Sequence, residues 1–270
     1  MPLVAAFLVP GSPLHYLRPE VAPWAPIAAA HAKAAALLAA ARPEVLLVYS
    51  TQWIAVLDEL WQTRPRVHGL HVDENWYEFG DLPFDINIDT ELAEICINAT
   101  STIGVRSRGV DYDGFPIDTG TIVADGFLNP TKQARLIIAA NNLYHDWQKT
   151  AQLGALAATE ATRLGRRYAV LGIGGLSGTI FRHEIDLERD HLASATDDAL
   201  NRELLAELAR GDRATLQAFC ADYAGRARAD MGMKHLAWIL GALGDQYRGA
   251  TTLAYGPSYG SGAAVVQFNC

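Results

Sequence analysis

The sequence predicts an α/β fold, with a central mostly parallel or mixed sheet that is covered by helices on both faces. Short β-branched or leucine-rich runs recur along the chain, and longer helical stretches lie between several of them. This alternation is typical of a sheet layered between helices. Hydrophobic residues make up 50% of the chain and charged residues 19%, which is a composition typical of a folded protein with a substantial core.

Five strands and two helices are predicted up to residue 173. The strands are Leu3–Val9, Val45–Tyr49, Val105–Val110, Leu136–Ala139 and Tyr168–Ile173. The first helix is alanine-rich, runs from about Pro26 to Ala41 and is closed by Arg42 and Pro43. The second is Thr90–Ile103, which is followed by Gly104. Proline cannot continue a helix and glycine readily ends one, so both helices have a defined end.

The last third of the chain is predicted to be mainly helical. One helix opens at Asp197 and stops at Gly211, another opens at Asp212, and a third covers Met233–Leu243. Two strands, Thr251–Tyr255 and Ala263–Phe268, then flank a glycine-rich loop. Because no repeat or low-complexity linker interrupts the chain, residues 1–270 are predicted to form a single domain.

Charge and cysteine content exclude several classes of function. The formal net charge is −8, and lysines and arginines are scattered, so we expect neither nucleic acid nor an anionic membrane as a partner. The three cysteines, Cys96, Cys220 and Cys270, form no CxxC pair, which fits thiols in a reducing cytoplasm. The apolar run from Pro2 to Val9 is too short to cross a membrane, so a cytoplasmic location is expected.

One short segment contains residue types that bind metals. His68, His71 and Asp73 lie within six residues of each other, and imidazole and carboxylate groups are ligands of divalent cations. On a strand, His71 and Asp73 would share one face and His68 would lie on the other, so a bend would be needed to bring all three together. A structural or substrate-gating role and a metal site both remain open.

Seven segments keep a specific order and spacing from the first strand to the last. They are Leu8–Pro13, Val48–Trp53, Tyr112–Gly120, Asn141–Tyr144, Gly172–Gly178, Met233–Trp238 and Tyr255–Gly262. Together they resemble the class III extradiol ring-cleavage dioxygenases, in the subgroup that cleaves 2-aminophenols. The run from Asp58 to Asp81 resembles the non-iron (alpha) subunits of that subgroup more than any catalytic relative. The resemblance implies the fold of the catalytic (B) subunits of class III enzymes.

The resemblance also predicts that this chain has lost the iron site. Catalytic members hold Fe(II) with two histidines and a glutamate and leave positions open for the ring substrate and O2. The matching positions here are Gly11, Gln52 and, counted back from Trp238, Lys234. The acid–base histidine of the family corresponds to Gly178. We therefore expect no catalytic residue and no metal in this chain.

Two further expectations concern the emptied site. An ammonium group at Lys234 could replace part of the missing cation's charge; alternatively, Lys234 could extend from its helix to solvent. Five residues near the inferred pocket could still bind a polar aromatic ligand or could only stabilise turns. They are Asp118, Asn141, Asn142, Tyr144 and His145.

The function that the resemblance implies is that of a non-catalytic structural subunit. Its partner would be a homologous beta subunit that holds Fe(II) and receives the 2-aminophenol-type substrate and O2, in an α2β2 assembly. Two alternatives are an autonomous metalloenzyme that uses His68, His71 and Asp73, and a sensor or carrier of small aromatic molecules.

Overall fold

The computed structural model describes residues 2–114, 117–178 and 184–270, in which strands and helices alternate. The strands are β1 (Leu3–Val9), β2 (Val45–Ala55), β3 (Glu59–Gln62), β4 (Arg66–His71), β5 (Leu82–Asn87), β6 (Ser107–Val110), β7 (Arg135–Asn142), β8 (Tyr168–Ile173), β9 (Ala250–Ser258) and β10 (Ser261–Phe268). The α-helices are α1 (Leu14–Leu17), α2 (Ala25–Ala41), α3 (Thr90–Ala99), α4 (Thr119–Leu128), α5 (Trp147–Arg163), α6 (Ala195–Arg210), α7 (Arg213–Arg226) and α8 (Lys234–Leu243).

Eight of these strands form one mixed sheet in the order β6-β3-β7-β2-β8-β1-β10-β9. The four central strands β7, β2, β8 and β1 run parallel to one another, so their carboxyl ends lie at one edge. At the borders of this parallel block, β3 runs antiparallel to β7 and β10 antiparallel to β1. The remaining strands, β4 and β5, form a separate antiparallel pair.

Helices cover both faces of the sheet. Successive side chains of the central strands point to opposite faces and are apolar on both, so each face needs a covering layer. In β2, Leu47 and Tyr49 pack into the core beneath α3, α5, α6, α7 and α8. Leu46 and Val48 of the same strand pack into the opposite core beneath α2 and α4. The predicted fold class is confirmed.

Helices α5 and α8 cross in direct backbone contact. A methyl group added at Gly241 of α8 would overlap the carbonyl oxygen of Ala151, and one added at Gly154 of α5 would overlap that of Trp238. The absence of side chains at these two positions lets the helices approach this closely. The crossing fixes the position of α8, and with it the position of Lys234 at its first turn.

Several element bounds differ from the prediction. Strands β2 and β7 extend beyond the predicted Tyr49 and Ala139, because Ile54 pairs with Asn141 after an irregularity in the ladder. The predicted helix Thr90–Ile103 continues as a 3-10 helix after Ala99. Helix α8 begins one residue after the predicted Met233, whose φ of 62° is left-handed. Within the described ranges, no helix combines the length and apolar character needed to span a membrane.

Candidate functional site

A cavity of about 840 Å³ opens at the edge of the sheet where the parallel strands end. Its walls come from the segments after β1 and β4, the end of β2, the start of α4, the segment before α8 and the turn between β9 and β10. Ligands of open α/β sheets bind outside the carboxyl ends of the strands, so this cavity is the candidate site.

The side chain of Gln52 ties three of these segments together. Its Nε2 donates to the carbonyl oxygen of Gly11 at 3.1 Å, and its Oε1 accepts from the backbone N–H of Gly120 at 2.7 Å. The carboxamide therefore joins the loop after β1, strand β2 and helix α4. Both of its polar ends are used, so the structure brings the predicted positions Gly11 and Gln52 together in a closed hydrogen-bonded bridge.

The space around Gly11 leaves little room for a side chain. A Cβ atom at this position would lie 3.0 Å from Gln52 Nε2, 3.1 Å from the Cα atom of Gly120 and 3.1 Å from Cγ2 of Ile173. These contacts are tight, and one of them is to backbone. Glycine supplies no side-chain ligand, and the Gln52 oxygen is already an acceptor. The residues present at these two positions do not fit Fe(II), which the fold family implies.

Asp118 faces the cavity as the N-cap of α4. Its carboxylate accepts from Thr121 N at 2.9 Å, Thr121 Oγ1 at 2.6 Å and Ser50 Oγ at 2.6 Å. These bonds satisfy an open helix end and attach it to β2. The Asp118 side chain therefore stabilises a local turn, which was one of its two expected roles, and it also lines the cavity.

Asp230 is a cavity residue that the sequence analysis missed. It lies before α8 and accepts hydrogen bonds from Thr51 Oγ1 at 2.7 Å and from the Gly175 N–H at 2.8 Å. The available signal was an acidic residue followed by Met-Gly-Met, where left-handed φ angles at Met231 and Met233 turn the chain into the helix. Asp230 thus connects β2, the loop after β8 and the entry to α8.

His71 and Asp73 meet at Thr119, and His68 does not join them. The Thr119 hydroxyl donates to Asp73 Oδ2 at 3.1 Å and lies 2.7 Å from His71 Nε2, which is then the donor to that hydroxyl. His68 is exposed on β4, opposite Asp85. In the part of the chain that the structure describes, no group of three or more His, Cys, Asp or Glu residues is placed to hold a metal ion.

Lys234 is largely buried and does not line the cavity. It is 9% exposed, and its Nζ donates to the carbonyl oxygens of Asn142 at 2.8 Å and Leu143 at 3.4 Å. Burial lowers the pKa of this amine, and the nearby charge of Glu59 opposes that shift. The ammonium group is directed at the turn after β7 instead of at the Gly11–Gln52 pair.

Glu59 is a buried carboxyl group in β3 that the sequence analysis did not identify. It is 0% exposed, and its Oε2 lies 3.2 Å from Nδ1 of His145, within ion-pair distance but without hydrogen-bond alignment. Burial raises the pKa of Glu59 to about 7, against the opposing effects of His145 and Lys234. Its segment Asp58-Glu-Leu-Trp-Gln gave no sign of burial, which arises because β3 lies between β6 and β7.

The five residues of the expected residual pocket are not brought together. Only Asp118 is in the cavity wall. Asn141 is buried and bonded to Tyr49 OH at 3.0 Å and Thr51 O at 2.9 Å, and Asn142 accepts from the Tyr144 N–H at 3.0 Å. Tyr144 itself is 81% exposed. His145 contacts Glu59, as described above.

Gly178 also lies in a confined position. Its N–H donates to the carbonyl oxygen of Arg228 at 3.1 Å, and a Cβ atom would stand 2.9 Å from that same oxygen. A larger side chain at position 178 would therefore require the backbone of one of the two segments to move.

Comparisons with known proteins identify relatives that match the whole length of the chain. The family described as the catalytic LigB subunit of aromatic ring-opening dioxygenase matches residues 7–268. The 2-aminophenol 1,6-dioxygenase alpha subunit of a Pseudomonas species is 48% identical over 270 residues, which are 100% of both chains. The beta subunit of 2-aminophenol 1,6-dioxygenase from Pseudomonas is 23% identical over 287 residues, covering 99% of this chain and 94% of that one.

A solved structure has the same fold at low identity. An uncharacterized protein of Escherichia coli K12 superimposes with a TM-score of 0.66 at 12% identity, covering 98% of this chain and 99% of the other. This match shows that the two proteins share the same overall fold.

Proposed function

Because the chain belongs to the LigB family of aromatic ring-opening dioxygenases, we propose that it is the non-catalytic alpha subunit of a 2-aminophenol 1,6-dioxygenase complex. In this complex the homologous beta subunit holds Fe(II), binds the 2-aminophenol through its hydroxyl and amine, and uses O2 to open the ring. This chain shapes and stabilises the beta subunit in an α2β2 assembly.

The Gln52 bridge is the observation that carries the proposal. Iron-dependent ring cleavage needs imidazole and carboxylate ligands with open positions beside them. Here a carboxamide joins Gly11 and Gly120, and a side chain at position 11 would meet backbone. Because these residues do not fit Fe(II), no step of the reaction is assigned to this chain.

Shared ancestry of the two subunits explains how an inactive copy can persist. The chain aligns along 99% of its length with a beta subunit at 23% identity. Two homologous folds can use one pseudo-symmetric contact surface, so a subunit without metal can still complete the assembly. The structural role therefore needs the fold and its surface, and it does not need the catalytic ligands.

Iron content and activity test the proposal directly. We would express this chain alone and together with the beta-type subunit of the same organism, and measure iron per chain and the ring opening of 2-aminophenol. We expect iron near zero and no turnover for the lone chain, and activity only for the complex. One iron per chain and turnover by the lone protein would contradict the proposal.

The persistence of the cavity supports a second, weaker candidate, a carrier of small aromatic molecules. Its wall includes Asp118 and the aromatic residues Trp76 and Tyr259, whose ring centroids lie 4.8 Å apart in an edge-to-face arrangement. Equilibrium dialysis of the lone chain against 2-aminophenol tests this candidate. Stoichiometric binding supports the carrier, and an absence of bound ligand contradicts it.

A further inference from the structure

Five large hydrophobic side chains lie exposed in the last residues of β2 and in the two turns that follow β2 and β7. We call them the turn surface: Ile54 (48% exposed), Val56 (50%), Leu57 (84%), Leu143 (45%) and Tyr144 (81%). The turns touch, because the Leu143 N–H donates to the carbonyl oxygen of Ala55 at 2.9 Å. Large apolar side chains exposed on adjoining segments are typical of interaction sites on soluble proteins.

Hydrogen bonds of buried side chains hold the backbone of the turn surface in place. Lys234 Nζ donates to the carbonyl oxygen of Asn142 at 2.8 Å, and Asn142 Nδ2 donates to the carbonyl oxygen of Asp58 at 3.2 Å. Asn142 Oδ1 accepts from the Tyr144 N–H at 3.0 Å. Buried polar groups thus fix the backbone that presents the exposed leucine and tyrosine. A fixed surface loses little conformational entropy on binding, as an interface requires.

Two arginines form a charged rim next to the turn surface. Arg106 and Arg108 have side chains 80% and 71% exposed, and both donate to the carboxylate of Asp58, which is 5% exposed. The two guanidinium groups share one carboxylate, so positive charge is left in excess. An apolar centre with an arginine-containing rim is the usual anatomy of a protein interface, and its complement carries carboxylates.

We propose that the turn surface is where this chain docks on its iron-bearing homologous subunit, an inference that rests on the function proposed above. A second copy of this chain is a poorer fit, because a symmetric contact would bring the same excess positive charge from each copy into one interface. Lys234, at the position matched to a metal ligand of catalytic relatives, then supports assembly by bracing the docking turn.

The test replaces exposed apolar side chains by aspartate. We would measure the Kd of the chain for the beta-type subunit of the same organism with Leu57→Asp, Tyr144→Asp and the matched control Leu70→Asp. Leu70 is 62% exposed on β4, outside the turn surface. We expect the two turn-surface variants to raise the Kd by about tenfold or more, as hot-spot residues do, and the control to change it by about twofold or less.

The other possible results of this experiment distinguish a wrong docking site from a wrong proposed function. Circular dichroism of the three variants should match that of the wild type, since all three side chains are exposed. Tyr144→Ala is a milder second variant of the turn surface. If the wild type binds and the turn-surface variants bind equally well, or if Leu70→Asp weakens binding as strongly, the docking site is overturned and the proposed function stands. If the variants disrupt a homodimer but keep the beta-type subunit bound, a second copy is the occupant. If the wild type does not bind at all, the proposed function fails together with the inference.

Discussion

Glu59 shows at the scale of one residue how a buried charge depends on its neighbours. The carboxyl group is fully buried, and the groups that offset its charge are His145 and Lys234. Its pKa of about 7 lies above the ordinary value of 4.5 because burial disfavours the ionised form. The folded state therefore retains a proton that the unfolded chain releases.

Replacement of Glu59 by glutamine should change the pH dependence of stability. Between pH 4.5 and about 7 the folded protein binds more protons than the unfolded chain, so wild-type stability falls as the pH rises through this range. Across this range the free energy of unfolding of the wild type falls by about 3 kcal/mol because of Glu59. We expect Glu59→Gln to be the more stable protein at pH 8 and to lose this advantage near pH 4.5. Urea unfolding of both proteins at pH 8 and at pH 4.5 measures this difference in stability. An equal difference at the two pH values would contradict a raised pKa for Glu59.

Histidines placed at positions 11 and 52, which are predicted to correspond to iron-binding positions of catalytic relatives, should not create an iron site. The double variant Gly11→His, Gln52→His forces a side chain against Gly120 and removes the carboxamide bridge. We expect it to bind less than stoichiometric iron and to lose about 1–3 kcal/mol of unfolding free energy through overpacking. Metal analysis and urea unfolding check both results, with Gln52→His alone as the control. One iron per chain in a stable double variant would contradict our conclusion that this site cannot hold Fe(II).

At the scale of helices and strands, continuous apolar runs were sufficient to predict some elements to the residue. Strands β1 and β8 have the predicted bounds, Leu3–Val9 and Tyr168–Ile173, because each is apolar throughout and followed by turn residues. Strand β3 was missed because its four residues include Glu59 and Gln62, which are buried only through pairing with distant strands. Helix α5 was not singled out, although its apolar face packs against α8.

The crossing of α5 and α8 predicts opposite effects for two glycine substitutions within helices. Gly241→Ala places a methyl group on the Ala151 carbonyl oxygen, whereas a methyl group at Gly225 in α7 meets no atom within 4 Å. We expect Gly241→Ala to destabilise the protein by about 1–3 kcal/mol and Gly225→Ala to stabilise it by about 0.5–1 kcal/mol. Chemical denaturation of both variants provides the measurement, and equal signs would argue against a close backbone contact.

The turn after β7 depends on an amine from another element. Lys234→Met leaves the carbonyl oxygens of Asn142 and Leu143 without this donor and removes a positive charge near Glu59. We expect a loss of about 1–3 kcal/mol and faster hydrogen exchange at the amides of residues 143–145. Lys33→Met, at an exposed position on α2, is the control and should change neither quantity. Unchanged exchange at the turn in Lys234→Met would show that the amine does not brace it.

At the scale of the whole molecule, the motifs predicted from sequence converge because the central strands are parallel. Gly11, Gln52, Asn142 and Gly178 all lie at or after the carboxyl ends of β1, β2, β7 and β8, at one edge of the sheet. Sequence spacing could not say which side of that edge each residue would face. Asp118 therefore lies in the cavity wall while Tyr144 faces solvent.

Binding of the beta-type subunit should raise the thermal stability of this chain by mass action. A partner present at 100 times its Kd adds about 2.7 kcal/mol to the folded state. For a domain of 270 residues this corresponds to a rise in Tm of about 5–10 °C. Calorimetry of the chain with increasing partner measures the shift, and a Tm independent of partner concentration would contradict assembly.

The Gln52 bridge also separates the shape of this chain from the supply of iron. Three segments, the loop after β1, strand β2 and helix α4, are joined by two hydrogen bonds of one carboxamide, to Gly11 and Gly120. A chelator that removes metal ions should therefore leave this chain folded, because these segments are joined by hydrogen bonds within the chain.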